Sequence, residues 1–301
     1  MKFKFPSPIT WQHHRSGWKW VVSAMQERFS TPDGVFVHTF ADRLFHKEII
    51  LQEPWIGFLH SAPTIHPLTK EFYGHSKLLC LEAFLPIWDK ITANCLGLFV
   101  FTDQAKAYLN KPRVWKIVHP TQPTDKKFDM NLFNHQLVLI GHWMRNWQDI
   151  FDLPVTKLQK YILQGTDIDY LRAMEVYRVR VNDSVSFLPR LNDDGFDNLL
   201  QRCVVFLPLY DCAACNTLLE CVARNTPVLL PKLAGAVEYL GEHYPLYYSS
   251  LGEATAKVQD EDLLRKTNEY LADLDKRYFD LDYFLDQYSS SFDSRLCKEQ
   301  S

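Results

Sequence analysis

Short apolar runs, separated by polar stretches of helical length, restrict the fold that this chain can adopt. The runs are rich in β-branched and aromatic residues. In chain order they are PITW, GVFVHTF, WIGFLH, LGLFVFT, VWKIVH, QLVLIG, KYILQG, VRVNDSVSFL, CVVFLPL, TPVLLP and YPLYY. Runs that are apolar at consecutive positions are typical of strands covered on both faces, as in parallel sheets with helices on each side. The alternation of strands and helices along the whole chain therefore predicts an α/β fold.

The length of 301 residues is enough for one large domain or two ordinary ones. The segment HPTQPTDKK, residues 119–127, has two prolines and a group of charges without any apolar period, which is typical of a linker. We therefore expect one domain over residues 1–125 and a second over residues 126–255. Residues 256–301 begin with a charged helical pattern, and we expect helices there that pack back across the junction of the two domains.

The composition excludes several classes of protein. A hydrophobic content of 47% and a charged content of 23% are those of a soluble globular protein. The net charge is −3, and the sequence has no long run of charges of either sign, so we expect no surface that binds nucleic acid. No apolar run is long enough for an export signal or a transmembrane segment, although peripheral membrane contact stays open. We expect a cytoplasmic protein whose seven cysteines are reduced.

The stretch FLPLYDCAACNTLLECVARNTPVLL, residues 206–230, allows two interpretations. In the first, Cys212 and Cys215 form a redox pair at a strand-to-helix junction, where a helix N-terminus lowers a thiol pKa. The neighbouring Asp211 opposes that reading, because an anion beside the first thiol raises its pKa. A zinc site would require a second cysteine pair at matching spacing. The second interpretation is a nucleotide site.

The nucleotide interpretation begins with Glu220, which lies among apolar residues in the predicted helix. A buried carboxylate is costly unless it faces a cleft or meets a partner. It can accept hydrogen bonds from both vicinal hydroxyls of a ribose, and a structural salt bridge is the alternative. The N–H groups that open the same helix would bind a pyrophosphate through the helix dipole. These groups belong to Ala213, Ala214, Asn216 and Thr217.

A second phosphate anchor is predicted in the stretch LVLIGHWMRNW. A strand ends at Gly141, which permits close approach of the backbone, and Arg145 follows at the expected start of a helix. The arginine fork suits phosphate oxygens. The G-x-G-x-x-G pattern of dinucleotide enzymes is absent from the sequence. No D-x-D carboxylate cluster stands at a predicted strand end, so we expect neither an obligatory metal nor another cofactor.

Taken together, residues from about 135 to 250 resemble the donor-binding domain of GT-B glycosyltransferases, especially the retaining type. The matching parts follow each other in the family's order. They are Gly141 with Arg145, the stretch VSFLPRLNDDGFDNLLQRC, the helix with Glu220, the stop NTPV at residues 225–228, and GAVEYLG at residues 235–241. The resemblance implies two Rossmann-like domains that face a central cleft, followed by C-terminal helices.

The resemblance also implies roles for particular residues. Glu220 would bind the ribose, and backbone at Leu188, Pro189 and Arg190 would contact the base. The diphosphate would be bound by Gly141, Arg145, Ala213, Ala214, Asn216 and Thr217. Members of the family often carry a sugar-binding glutamate eight positions before the ribose glutamate. Here Cys212 occupies that position, and Asp211 is expected to contact the sugar instead.

In the first half of the chain the resemblance is looser. Arg15, Ser16 and Gly17 follow the first predicted strand, where such enzymes place a loop that faces the phosphates or the acceptor. His60 ends a predicted buried strand and could exchange a proton at neutral pH or donate to the transferring oxygen. Its structural alternative is a core histidine bonded to backbone. Asp42 is a second, weaker candidate for a catalytic base.

These residues predict an enzyme that transfers a hexosyl or pentosyl group from a UDP- or GDP-sugar to a hydroxyl acceptor. A glycan or other saccharide is the expected acceptor, as in polysaccharide biosynthesis. Two alternatives stay open at this point. One is a dithiol oxidoreductase that uses Cys212 and Cys215, and the other is a non-catalytic module that binds nucleotide sugars.

Overall fold

The computed structural model describes residues 2–5, 17–73, 79–165, 167–213 and 215–295. The chain divides into two compact units. The first unit consists of Met1–Thr64, Tyr73–Gln122 and Lys276–Ser301, and the second consists of Ile65–Phe72 and Pro123–Asp275. A short piece of the first half of the sequence therefore belongs to the second unit.

All strands except the first, which no apolar run predicted, overlap the apolar runs of the sequence. The strands are β1 (Phe3–Lys4), β2 (Val35–His38), β3 (Trp55–Phe58), β4 (Cys95–Val100), β5 (Val114–Lys116), β6 (Gln136–Ile140), β7 (Gln159–Leu163), β8 (Val185–Leu188), β9 (Cys203–Phe206), β10 (Val228–Pro231) and β11 (Tyr247–Tyr248). The predicted run PITW lies outside the described residues.

Helices occupy most of the intervals between the strands. They are α1 (Trp18–Phe29), α2 (Asp42–His46), α3 (Pro67–Tyr73), α4 (Leu81–Phe84), α5 (Trp88–Ile91), α6 (Asp103–Leu109), α7 (Gln148–Asp152), α8 (Asp167–Val176), α9 (Asp193–Leu200), α10 (Asn216–Arg224), α11 (Ala234–Leu240), α12 (Leu251–Val258), α13 (Glu261–Asp273) and α14 (Leu281–Arg295). Within the described ranges, no helix is long and apolar enough to span a bilayer.

The first unit contains a parallel sheet in the order β1-β2-β3-β4-β5. Its core is rich in aromatic side chains. Phe58 of β3 stacks on Phe99 of β4 with ring centroids 5.0 Å apart, and Tyr288 of α14 lies 5.8 Å from Phe58 and 5.4 Å from Phe99. The last described helix thus packs on this sheet, and burial of its aromatic side chains holds it there.

The second unit contains a parallel sheet in the order β11-β10-β9-β6-β7-β8. The chain enters at the centre with β6, moves outward through β7 to β8, and returns to the other side of β6 with β9. This is the doubly wound Rossmann order, and its direction reverses between β6 and β9. Ligands of such sheets bind beyond the carboxyl ends of the strands at this switch point. The loops after Ile140 and Phe206 are therefore where a ligand is expected.

Candidate nucleotide-binding site

The loops that follow β6 and β9 are joined to each other at the switch point. Arg145 forms an isolated antiparallel bridge with Leu209. One step further, the Tyr210 N–H donates to the Met144 carbonyl at 3.0 Å. The two loops therefore form one short ribbon, and Arg145 has a fixed backbone position within it.

Gly141 shapes the start of the first loop. Its φ of +82° lies in the left-handed region that favours glycine. A Cβ atom at this position would lie 3.2 Å from Cζ of Arg145, so the missing side chain makes room for the guanidinium. The sequence placed Arg145 at the start of a helix, but α7 begins only at Gln148. Met144, with φ +62°, turns the chain before the helix and leaves Arg145 in the loop.

The guanidinium of Arg145 is oriented by backbone carbonyls. Only 9% of the residue is exposed. Nε donates to the Ile140 carbonyl at 3.1 Å, and Nη1 donates to the Trp143 carbonyl. Nη2 donates to Thr217 Oγ1 at 3.3 Å and lies 3.6 Å from Cys215 Sγ. The carbonyls of Ile140 and Trp143 thus fix the position of the guanidinium. The contacts of Nη2 with Thr217 and Cys215 are long, so a ligand oxygen could replace them.

Helix α10 presents its N-terminus to this guanidinium. The helix begins at Asn216, and its N-cap residue Cys215 makes no side-chain capping bond. The first α-helical hydrogen bond is donated by the Leu219 N–H to the Cys215 carbonyl. The preceding N–H groups, from Asn216 onward, therefore have no partner within the helix. The first turn also carries no acidic side chain that would neutralise the helix dipole.

The sequence placed Ala213 and Ala214 at the opening of this helix, which begins only at Asn216. Ala213 is buried and precedes the first helical N–H group, and Ala214 lies outside the described residues. Cysteine is not a preferred N-cap residue, so the observed cap at Cys215 is not marked in the sequence. Of the predicted diphosphate ligands, the structure brings together Gly141, Arg145 and Thr217, with Asn216 at the first helical position. We call these four residues the anion site, since they combine a cation with a helix N-terminus.

The cysteines next to the anion site do not form a reactive dithiol. Cys212 and Cys215 are both buried free thiols. Burial raises the pKa of the Cys212 thiol far above its usual value, and the neighbouring Cys215 and Asp211 raise it further. A catalytic thiol requires the opposite shift and access to solvent. The structure thus disfavours the oxidoreductase interpretation. In the described part of the chain, no three His, Cys, Asp or Glu residues are arranged to hold a metal ion.

Asp211 is buried at the start of the loop that leads to α10. Its Oδ1 accepts a hydrogen bond of 2.8 Å from the Cys212 N–H. The carboxylate therefore stabilises its own turn. Its contact with the sugar stays a prediction.

Glu220 lies one turn further along α10, and it is paired inside the protein. Glu220 is 3% exposed and Arg224 is fully buried. The Arg224 guanidinium binds Oε2 of Glu220 through Nη1 and Oδ1 of Asp197 through Nη2 and Nε. We call these three residues the charge triad. The partner that burial requires is thus supplied by Arg224, in agreement with the structural alternative, and the ribose role of Glu220 stays a prediction.

The predicted base-binding segment lies on the same edge of the sheet, two strands away from β6. Leu188 ends β8, and its carbonyl accepts from the Gln164 N–H at 3.0 Å. Pro189 and Arg190 follow and are exposed. The three residues are therefore at a carboxyl strand end of the second unit, where the Rossmann topology expects ligand contacts.

His60 belongs to the first unit and follows β3. Its ring is packed among Trp18, Phe40 and Phe101, with centroids 4.7, 5.0 and 4.9 Å away. Nε2 lies 3.1 Å from the Thr39 carbonyl. Because a carbonyl only accepts, Nε2 carries the proton and Nδ1 carries a lone pair. Burial lowers the pKa of His60 to about 4, so the ring is neutral at pH 7. In this state Nδ1 can accept a hydrogen bond but cannot donate one.

Asp42 holds the backbone on which His60 lies. It is fully buried, and its carboxylate accepts from the N–H of His60 at 3.0 Å and of Ser61 at 2.9 Å. The Ser61 hydroxyl donates as well, at 2.5 Å. Burial raises the pKa of Asp42, and the bonds from Ser61 and His60 act against that rise. These contacts fix the backbone of His60 and Ser61, and the role of Asp42 as a base stays a prediction.

The predicted loop in front of α1 is described only at its end. Gly17 is buried and is the N-cap residue of α1, with an extended backbone of φ −71° and ψ 172°. Arg15 and Ser16 lie outside the described residues. Their role toward phosphate or acceptor therefore stays a prediction.

Comparison with known proteins finds similarity at the level of structure. No protein-family model matches the sequence, and no curated protein matches it. The crystal structure of Anabaena HepE in complex with UDP-glucose is similar with a TM-score of 0.59 at 14% identity, over 92% of this chain and 82% of that chain. A UDP-forming α,α-trehalose-phosphate synthase from Burkholderia vietnamiensis is similar with a TM-score of 0.62 at 13% identity, over 94% and 78% of the two chains.

A third similar structure is WaaG, a glycosyltransferase involved in lipopolysaccharide biosynthesis. It has a TM-score of 0.52 at 16% identity, over 90% of this chain and 80% of that chain. These likenesses show that the chain has the GT-B fold, with two Rossmann-like domains and C-terminal helices. The fold class predicted from the sequence is thereby confirmed.

Proposed function

We propose that this protein is a glycosyltransferase that moves a sugar from a nucleoside diphosphate sugar to a hydroxyl acceptor. The observation that carries the proposal is the meeting of Arg145 with the N-terminus of α10 at the switch point of the second sheet. Negative charge develops on the leaving diphosphate as the bond to the sugar breaks. Fixed positive groups that meet this charge are the main source of stabilisation that such a reaction requires.

The anion site would receive the diphosphate by exchanging weak internal contacts for strong ones. Arg145 would turn Nη2 from Thr217 Oγ1, at 3.3 Å, to a phosphate oxygen, while its bonds to Ile140 and Trp143 keep the guanidinium in place. The N–H groups at the start of α10 would donate to the same phosphates. Since protein groups supply this positive charge, we infer that transfer does not require a divalent metal.

A uridine nucleotide is the first candidate for the donor. HepE is in complex with UDP-glucose, and the similar trehalose-phosphate synthase is UDP-forming. We therefore propose that this chain uses a UDP-hexose, with GDP-sugars as the second class to test. A saccharide is the proposed acceptor. The six cysteines among the described residues are buried and form no disulfide with one another, which fits a reducing compartment, and the proposed location is the cytoplasm.

The remaining roles extend the proposal along the edge of the second sheet. Glu220 would accept from the ribose hydroxyls, with Arg224 holding its carboxylate. Backbone of the segment 188–190 would contact the base. In the first unit, His60 would accept a hydrogen bond from the attacking hydroxyl through Nδ1, and Asp42 would fix its position.

Titration calorimetry with UDP and GDP tests the proposal, combined with an assay of UDP release from UDP-sugars. We expect the wild type to bind UDP and Arg145→Met to bind it about 10- to 100-fold more weakly, as for a lost charged hydrogen bond of about 1.5–3 kcal/mol. Arg265→Met, which removes an exposed arginine of α13, is the matched control and should bind normally.

The outcomes separate the possible functions. Absence of nucleotide binding, or normal binding by a folded Arg145→Met protein, would overturn the proposal. Binding without release of UDP in the presence of saccharide acceptors would indicate a non-catalytic module. Addition of EDTA should leave binding and release unchanged, and a loss would contradict the metal-free mechanism.

A further inference from the structure

Three aromatic residues from distant parts of the sequence meet in the second unit. The ring of His66 lies 4.9 Å from that of Tyr210 and 5.4 Å from that of Tyr177, edge-on in both cases. His66 comes from the segment Ile65–Phe72, which belongs to the second unit although it lies in the first half of the chain. We call these three residues the aromatic cluster.

The cluster is adjacent to the anion site. Tyr210 directly follows Leu209, the residue that bridges to Arg145. The Tyr210 N–H is bonded to the Met144 carbonyl, one residue before Arg145. The backbone of Tyr210 therefore lies beside the backbone of Arg145, at the border of the anion site.

Tyr210 is supported on one side and remains open to solvent. It is 41% exposed, whereas Tyr177 behind His66 is buried. Trp143, on the other loop of the ribbon, is 38% exposed. Large aromatic side chains left open beside a candidate site are typical of surfaces that bind a ligand. The ring of Tyr210 is thus partly open to a ligand, while the ring of His66 contacts it on one side.

The hydrogen bonds of His66 determine what its ring can offer. Its Nδ1 accepts from the Leu68 N–H at 3.2 Å, so the proton of the neutral ring is on Nε2. Burial lowers the pKa of His66, which favours this neutral form. Helix α3 is also tied to the second unit by the ion pair of Glu71 with Arg178. His66 is therefore a positioned, uncharged hydrogen-bond donor next to Tyr210.

Building on the proposed function, we propose that Tyr210 and His66 form the wall of the donor site that receives the transferred sugar. The apolar C–H face of a pyranose would lie on the Tyr210 ring, and Nε2–H of His66 would donate to a sugar hydroxyl. The cluster contains no cation, so it favours a neutral hexose over a uronic acid.

This wall accounts for a departure from the family pattern. The position of the sugar-binding glutamate is occupied by Cys212, which is buried. The neighbouring carboxylate of Asp211 is bonded to backbone. The ring of Tyr210 and the Nε2–H group of His66 would contact the sugar in place of the missing glutamate.

The test compares the affinities of the same protein for UDP and for UDP-sugars by titration calorimetry. The probes are UDP, UDP-glucose, UDP-galactose, UDP-N-acetylglucosamine and UDP-glucuronic acid. We expect Tyr210→Ala to leave the Kd for UDP within about twofold. It should weaken the affinity for the tightest-binding UDP-hexose about 5- to 10-fold, as for a lost ring contact of about 1–1.5 kcal/mol.

Two further variants separate packing from ligand contact. Tyr210→Phe keeps the ring and should keep the affinity for the UDP-hexose. His66→Phe keeps an aromatic ring against Tyr210 but removes the Nε2–H hydrogen-bond donor. It should therefore weaken the affinity for the UDP-hexose and leave the affinity for UDP unchanged. Tyr278→Ala, at a 48% exposed tyrosine of the first unit, is the matched control and should change neither affinity.

The results distinguish this inference from the proposed function. If the wild type does not bind UDP, the proposed function itself fails. If it binds UDP and UDP-hexoses but Tyr210→Ala weakens both equally or neither, the aromatic wall is refuted and the nucleotide site stands. Tighter binding of UDP-glucuronic acid than of every UDP-hexose would refute the selection for a neutral sugar.

Discussion

Replacement of Arg224 by methionine should destabilise the second unit strongly. Arg224 has no exposed side-chain surface, and the side chains of its partners Glu220 and Asp197 are 5% and 1% exposed. Methionine fills much of the same volume but removes the guanidinium that pairs with two buried carboxylates. Removal of one partner from a buried ion pair costs about 3–5 kcal/mol. We expect a loss in the free energy of unfolding within that range.

Thermal unfolding measures this loss. A unit of this size loses roughly 2–4 °C in Tm for each kcal/mol, so the variant should melt about 10 °C below the wild type. Protonation of Glu220 and Asp197 would relieve the cost of losing their guanidinium partner. The difference in Tm between variant and wild type should therefore be smaller at pH 5 than at pH 8.

The matched control removes all three charges together. The triple variant Glu220→Gln, Arg224→Met and Asp197→Asn carries no charge at the three positions of the charge triad, so it should recover much of the lost stability. The reasoning is refuted if Arg224→Met costs less than about 1 kcal/mol. It is also refuted if the triple variant is no more stable than the single one.

Further predictions concern the anion site, the histidines and the thiols. Gly141→Ala should weaken UDP binding in calorimetry, because φ of +82° disfavours alanine and its Cβ would press on Arg145; unchanged affinity would contradict this. Burial lowers the pKa of His60 to about 4 and of His119 to about 3, against about 6.5 when unfolded. Between these values the unfolded state binds more protons, so the free energy of unfolding should fall as the pH drops from 6.5 to 4, by up to about 1.4 kcal/mol per pH unit for each histidine. Denaturant titrations across that range check the slope, and a flat profile would argue against it. Cys212→Ala should bind UDP like the wild type, with or without dithiothreitol; a dependence on the thiol would revive the redox interpretation.

The sequence predicted most of the secondary structure because its strands are buried on both faces. Runs such as QLVLIG and CVVFLPL became the adjacent central strands β6 and β9. The order of the strands could not be predicted in the same way, because it depends on the side on which each connection crosses. The switch point between β6 and β9 therefore became known only from the structure.

At the candidate site, the sequence predicted which residues come together better than it predicted the local backbone. Arg145 was predicted as a phosphate ligand and does lie beside the start of α10, but the left-handed turn at Met144 that keeps it out of a helix has no sequence signal. The partner of Glu220 could have been found, because Arg224 stands four residues later on the same helix face. Asp197 and His66 come from distant segments, and only tertiary contacts reveal them.

A crystal structure of the protein with UDP tests the central claim most directly. The account predicts diphosphate oxygens about 3 Å from the Arg145 guanidinium and from the N–H groups of Asn216 and Thr217. It also predicts the base near the end of β8. A UDP molecule bound elsewhere, with Arg145 still bonded to Thr217, would contradict it.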